Sequence, residues 1–263
     1  MLIEFLITVL IVGFVTAGLN IRFDRFFTIL MLSFVFGFGM YDSVNIFLWV
    51  IMFGALMIIL SNKEKIASLP KSMLFKLFTV IPLITLFFSF IGSWIYSITP
   101  ESILMLVLGL LALAYGIRLM FVHFKPEELA NEKENPLFSK FCGIFGPIIS
   151  GFLIGFIGTS LKPLKIPFAV KIGKLNIKKV YLGNTVVAFF ASLFAIIFHY
   201  FFTKTMTTNI FYEQMLLGLA LWAAIHAIFE LTNTFFKDNW RKGFQIFIGL
   251  MLILVSFKIF IGI

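Results

Sequence analysis

The chain has 263 residues, 61% of them hydrophobic and 13% charged, with 37 phenylalanines and a formal net charge of +9. Water-soluble domains run near 45–50% apolar and about 25% charged. The composition therefore excludes a soluble globular domain and points to an all-α polytopic transmembrane helical bundle, a single membrane domain over residues 1–263. The basic excess suits cytoplasmic loops rather than nucleic acid. The one cysteine, Cys142, excludes an intramolecular disulfide and reads as an apolar filler.

In chain order, the apolar runs that approach the roughly 20 residues needed to cross a bilayer are 2–19, 26–40, 44–60, 74–96, 102–122, 141–158, 180–202, 210–236 and 243–263. The start, Met1-Leu2-Ile3-Glu4, lacks the basic leader of a cleaved signal peptide, so the first run is expected to be mature structure. The second is short for a span and is interrupted by Gly37-Phe38-Gly39. Asp42-Ser43 caps the third, and Thr99-Pro100-Glu101 opens the fifth with a capping threonine and a proline in the first turn. Residues 123–140 form the one long polar connection. Between Thr159 and Leu175 lies a broken stretch, Ser160-Leu161-Lys162-Pro163-Leu164-Lys165-Ile166-Pro167, whose prolines disfavour a continuous helix. Such backbone is tolerated at membrane depth only when packed in protein or lining a wet cavity. His199, near the end of its run, reads as interfacial.

The polar connection separates a first repeat, 1–122, from a second, 141–263. Sliding the chain by 140 residues sets Gly109 on Gly249, Leu110 on Leu250 and Arg118 on Lys258. A shift of 138 sets Gly13-Phe14-Val15 on Gly151-Phe152-Leu153. Lysine and arginine mark cytoplasmic span ends, and they concentrate in 62–76, 118–140, 171–179 and 237–242. All of these fall on one side if 2–19 with 26–40, and 141–158 with 159–175, each enter and return. The expected topology is an inverted repeat of about eight spans plus broken, re-entrant segments. It sits in the cell (inner) membrane with both termini outside and 123–140 cytoplasmic.

Inverted repeats built from discontinuous helices place substrate at the repeat interface, and the broken segments here are basic in both halves. Arg22 and Arg25 lie in the first, Lys162 and Lys165 in the second. Half-helix N-termini beside cations favour a small anionic substrate; the competing reading is cations that snorkel to headgroups. Lys171, Lys174, Lys178 and Lys179 read as topology signals. Asn184 and Thr185, in Gly183-Asn184-Thr185, offer an amide and a hydroxyl to a polar substrate, or to backbone freed by the break. His226 and Glu230, one turn apart, form a candidate proton-coupling pair; the competing reading is an interfacial carboxylate and a histidine bonded to a neighbouring helix. Gly151-x-x-x-Gly155-x-x-Gly158 lets helices approach closely. The sequence has no phosphate-binding loop, no metal-ligand cluster and no nucleophile–histidine pairing. No cofactor and no enzymatic activity are therefore expected.

The segment Gly151-Phe152-Leu153-Ile154-Gly155-Phe156-Ile157-Gly158-Thr159, then Leu164-Lys165-Ile166-Pro167, then Gly183-Asn184-Thr185, resembles the sulfite exporter TauE/SafE permeases. So do Gly92-Ser93 leading to Thr99-Pro100-Glu101, and Trp240-Arg241-Lys242 ahead of Gly249-Leu250. The resemblance covers most of the chain. It implies a secondary permease for sulfur oxyanions or organosulfonates, working by alternating access. The family's glycine triplet is replaced by Ser160-Leu161-Lys162, and the first half, at Leu19-Asn20-Ile21-Arg22, lacks it too. Lys162 would then supply charge where the family supplies amides. The alternative is a transporter-like membrane binding or assembly factor without transport activity.

Overall fold

Lipid tails solvate no backbone N–H or C=O, so a chain this apolar must satisfy those groups within its own segments. In the computed structural model, which describes residues 2–19, 26–121, 136–160, 166, 169, 174–175, 177–203, 207–236 and 238–262, every regular element among those residues is helical. The elements are α1 (Leu2–Gly18), α2 (Phe26–Phe34), α3 (Met40–Ser61), α4 (Lys63–Ala67) and α5 (Lys71–Ile98). They continue with α6 (Glu101–Phe121), α7 (Pro136–Ile157), α8 (Ile177–Phe202), α9 (Thr208–Asn233) and α10 (Asp238–Gly262). Among the described residues seven helices, α3 and α5 to α10, are long and apolar enough to cross a membrane, and α1 is apolar but shorter.

Local chemistry explains where the helices stop. The run expected over 26–40 ends at Phe34, because Gly37 takes a left-handed φ of +71° that a continuing helix cannot hold. The next helix starts at Met40, so Asp42 and Ser43 lie inside its first turn rather than ahead of it. Ser33 Oγ donates to Ser43 Oγ at 3.0 Å across this break. In α5, Lys76–Val80 form a π-helical turn. Pro82, just beyond it, has no N–H for the carbonyl of Phe78, and its ring crowds that carbonyl. The end of α7 is set by Gly158, with φ +73° and its N–H bonded to Ile154 O at 3.0 Å. Thr207 caps α9 by accepting from Ile210 N–H at 3.4 Å.

The chain forms two compact units, one of Met1–Val50, Thr99–His123 and Thr207–Ile263, the other of Ile51–Ile98 and Phe124–Met206. Each draws on both halves of the sequence. In the first unit α1 packs on α9 and α6 packs on α10; in the second α5 packs on α7 and α8.

Glycines set these crossings, because without a side chain two backbones come close enough for dispersion and carbonyl contacts to hold them. A methyl group added at Gly13 would lie 2.6 Å from Ile228 Cβ and 3.4 Å from Ile225 O. One added at Gly151 would lie 3.3 Å from Phe88 Cβ and 3.3 Å from Thr85 O. Ile225 and Ile228 stand 140 residues beyond Thr85 and Phe88, so the α1–α9 and α7–α5 crossings use the same positions. The α6–α10 pair has the same reciprocity within itself. Gly109 faces Ile259 and Phe260, while Gly249 faces Leu119 and Met120, again 140 apart. At its centre a Cβ on Gly116 would sit 2.7 Å from Gly249 O, and one on Gly249 2.8 Å from Gly116 O. The order of buried, half-buried and exposed positions is identical over 82–90 and 222–230, which align by 140.

Gly92 lies where α5 meets the backbone of α7, against Phe152 O and Phe156 N, whereas Gly143 of α7 has open space around it. Gly92→Ala is expected to destabilise the purified protein by about 1–3 kcal/mol through overpacking. Gly143→Ala is expected to leave stability unchanged or raise it by up to about 1 kcal/mol through helix propensity. Thermal unfolding in detergent compares the two, and equal midpoints would remove the crossing from the list of determinants.

Candidate functional site

Helix ends, where backbone groups lose their partners within the helix, are the natural sites for polar chemistry in this fold. The last-turn carbonyls of a helix have no N–H four residues on. Both α1 and α7 present such a carbonyl to a side-chain donor. Arg241 Nη1 donates to Ala17 O at 2.8 Å, and His199 bonds Gly155 O through Nε2 at 2.7 Å. Ala17 and Gly155 stand 138 residues apart, the offset that relates Gly13 to Gly151.

His199, near the end of its run, is fully buried within the protein. Because a carbonyl only accepts, the histidine tautomer that makes this bond carries its proton on Nε2. The ring stacks on Tyr96, with centroids 4.0 Å apart and an interplanar angle of 3°. The close α5–α7 crossing makes room for this. Ser89 on α5 donates to Gly151 O at 3.2 Å and to Ala191 O of α8 at 3.3 Å, tying three helices at one point. Tyr96 and His199 lie two turns further along α5 and α8, beside the end of α7.

Arg241 serves the first unit in the same way. Besides Ala17 O, its Nη2 reaches Asn233 O at 3.2 Å and Asn233 Oδ1 at 3.1 Å, and the guanidinium lies 5.9 Å from the Phe236 ring centroid. It joins the start of α10 to the ends of α1 and α9. The sequence shows 237–242 as a charge-rich segment and Trp240-Arg241-Lys242 as part of the family resemblance, without a role for Arg241 itself. The signal that singles out Arg241 is the reciprocal position of Ala17 and Gly155, which exists only once the helices are packed.

Of the residues expected to bind substrate, Arg22, Arg25, Lys162 and Lys165 lie outside the described residues. Among the described residues of the second break, Thr159, Ile166 and Ala169 are buried, and Lys174 has a φ of +52°, left-handed and strained for a side-chain-bearing residue. Asn184 donates to Val180 O at 2.9 Å and Thr185 donates to Tyr181 O at 2.8 Å, so each spends a donor on the preceding turn of α8. Thr185 is buried and Asn184 half-buried, with open space at Gly183. His226 and Glu230 both sit on the exposed side of α9, away from its buried stripe of Gln214, Gly218, Leu221, Ile225 and Phe229. The His226 ring is stacked with Trp222 at 5.9 Å. At the other end of the helix Gln214 donates to Asp42 Oδ1 of α3 at 3.0 Å.

His199→Phe keeps a ring against Tyr96 and removes the donor to Gly155 O. An orphaned buried carbonyl costs about 1–3 kcal/mol, and the unfolding midpoint is expected to fall accordingly, with His199→Gln recovering part of the loss. If His199→Phe unfolds like the parent, the bond to Gly155 does not hold the end of α7.

Residues 5–259 match the family described as Sulfite exporter TauE/SafE. Comparisons with curated proteins and with solved structures give no match. The family match spans nearly the whole chain and agrees with seven apolar helices of membrane-crossing length among the described residues. The chain belongs to the sulfite exporter TauE/SafE family, a family of membrane transporters.

Proposed function

We propose that this protein is a secondary permease that moves a small sulfur-containing anion, a sulfur oxyanion or an organosulfonate, across the cell (inner) membrane by alternating access. Family membership over residues 5–259 is the observation that carries this reading. The second broken segment supplies the chemistry. It places Lys162 and Lys165 around Pro163, beyond the end of α7 and ahead of α8. A cation at membrane depth is costly without a partner, and a bound anion supplies one. Arg22 and Arg25 contribute the corresponding charge in the first half, with Asn184 and Thr185 close along the chain to the second.

The accompanying architecture is an inverted repeat of 1–122 and 141–263 joined by a cytoplasmic 123–140 loop, with both termini outside. The reciprocal glycine contacts support it. In them α1, from the first half, is held by α9 from the second, and α7, from the second half, by α5 from the first. Cysteine substitution at Lys133 and after Ile263 tests this topology. The loop position is expected to resist an impermeant thiol reagent applied from outside and the C-terminal one to react. Equal labelling would overturn the inverted arrangement.

Flux of sulfite, sulfate, thiosulfate and sulfoacetate into proteoliposomes tests the transport reading. Uptake of at least one is expected, and silence across the panel and other small anions would leave the non-transporting binding or assembly factor. For the site, Lys162→Gln or Lys165→Gln is expected to weaken anion binding by about 1–3 kcal/mol, the range of charge-assisted hydrogen bonds, or roughly 5- to 150-fold in affinity. Lys178→Gln is the control for general loss of positive charge. Equal binding by all three, or equal weakening, would place the site elsewhere.

A further inference from the structure

The end of α1 in the first unit and the end of α7 in the second present the same kinds of group at corresponding positions. In the first, Arg241 bonds Ala17 O at 2.8 Å and Asn233 Oδ1 at 3.1 Å, and lies 5.9 Å from the Phe236 ring centroid. Their counterparts in the second unit are Gly155, Ser93 and Tyr96, at offsets of 138, 140 and 140 residues. There the occupant is His199, which bonds Gly155 O at 2.7 Å and stacks on Tyr96 at 4.0 Å. The two occupants do not themselves correspond, since Arg241 opens α10 and His199 stands near the end of α8. The same receptor is thus filled from different helices, each time by planar N–H donors that can carry positive charge.

Charge separates the two. The last-turn carbonyls of a helix favour a cation. Arg241 supplies one permanently, whereas an imidazole supplies one only while it holds a second proton. We propose that His199 is the proton site of this transporter, charged and discharged in each transport cycle. The inference rests on the permease reading and names its coupling ion. A charged ring donates from both nitrogens, so it needs an acceptor besides Gly155 O. Ser93 Oγ, at the place of Asn233, is fully buried and has no hydrogen-bond partner among the described residues. Ser93 follows Gly92, where an added methyl group would stand 3.1 Å from the carbonyl carbon of Gly155. The His199 ring is 1% exposed. A proton therefore reaches it only in a conformation that opens the end of α7, which ties its charge to alternating access. None of α5, α7 and α8 contains an Asp or Glu, so the proton adds charge to the site instead of neutralising a carboxylate there. Tyr96 is the titratable group that faces the ring, and Tyr200 is its neighbour on α8. Lys71 and Lys76 of α5, with Lys140 and Cys142 of α7, lie toward the far ends of those helices, and Lys204 lies outside the described residues.

Proteoliposomes holding the full chain, with the membrane potential clamped at zero, test this. Sulfate, thiosulfate and sulfoacetate, which keep their charge near neutral pH, are offered under a pH gradient of either sign. One coupled proton lets the parent accumulate a transported anion up to about tenfold per unit of pH difference. His199→Gln keeps an N–H for Gly155 O but holds no second proton. It is expected to lose the accumulation while tracer exchange of the same anion continues. A parent that moves an anion without regard to the gradient would overturn the proposal, whatever the variants do. So would accumulation by His199→Gln equal to the parent's, or loss of exchange together with accumulation, which would make His199 a prop for α7 alone. Loss of accumulation in His226→Gln, with His199→Gln like the parent, would put the proton on α9 and overturn it equally. A parent that moves no anion at all removes the permease reading and this one with it, an outcome distinct from the failure of the proton site alone.

Discussion

Backbone-to-backbone contact at glycines is the constraint on which the rest of this molecule depends. Inside a bilayer no apolar surface is gained or lost when two helices meet, so association rests on close packing and on hydrogen bonds that the approach brings within reach. Gly92 and Gly155 bring α5 and α7 together until carbonyls of one helix touch backbone atoms of the other. Only at that separation can Ser89 reach Gly151 O and Ala191 O, and His199 reach Gly155 O. Gly13 seats α1 on α9 against the Ile228 side chain, and Arg241 closes on Ala17 O. The polar bonds at the helix ends are thus consequences of the glycine crossings.

The two helix ends are closed by different chemistry. In the first unit a guanidinium, charged at any physiological pH, makes bonds to three acceptors on two helices. In the second an imidazole makes a short bond to Gly155 O while its face lies against Tyr96. A fork of donors ties several segments at once, whereas a stacked ring is held both by its bond and by its face.

Much of the helical skeleton was legible because its signals are local and strong. Long apolar runs and the Gly151-x-x-x-Gly155 spacing each state their physics in a few residues, and the helices fall where the runs predict, within a few residues at each end. The Gly109–Gly249 match found by sliding the chain coincides with a real contact surface, since both glycines face α6–α10 partners. Other features were not legible, for identifiable reasons. The interruption at Gly37-Phe38-Gly39 was legible, but the start of α3 was expected at Val44 rather than Met40, because a capping pair such as Asp42-Ser43 looks the same one turn inside a helix as ahead of it. His199 read as interfacial because distance from a run's end measures depth, not whether another helix covers that side. Arg241 was hidden among basic residues whose number carries the topology signal and whose individual partners do not. The residues around Lys162 were chosen on charge and proline spacing alone.

The π-helical turn at Lys76–Val80 has a consequence for how α5 and α9 correspond. Leu77 and Gly218 are both buried, and over 82–90 and 222–230 the two helices bury and expose matching positions. Between these landmarks α5 contains one residue more than α9. In a regular helix an inserted residue would turn everything downstream by about 100° and swing Ser89 and Gly92 away from α7. A π turn takes up one residue while the chain continues along the same axis. Phase is therefore conserved on both sides of the insertion, and the length difference between the two helices is confined to a single wide turn beside Pro82.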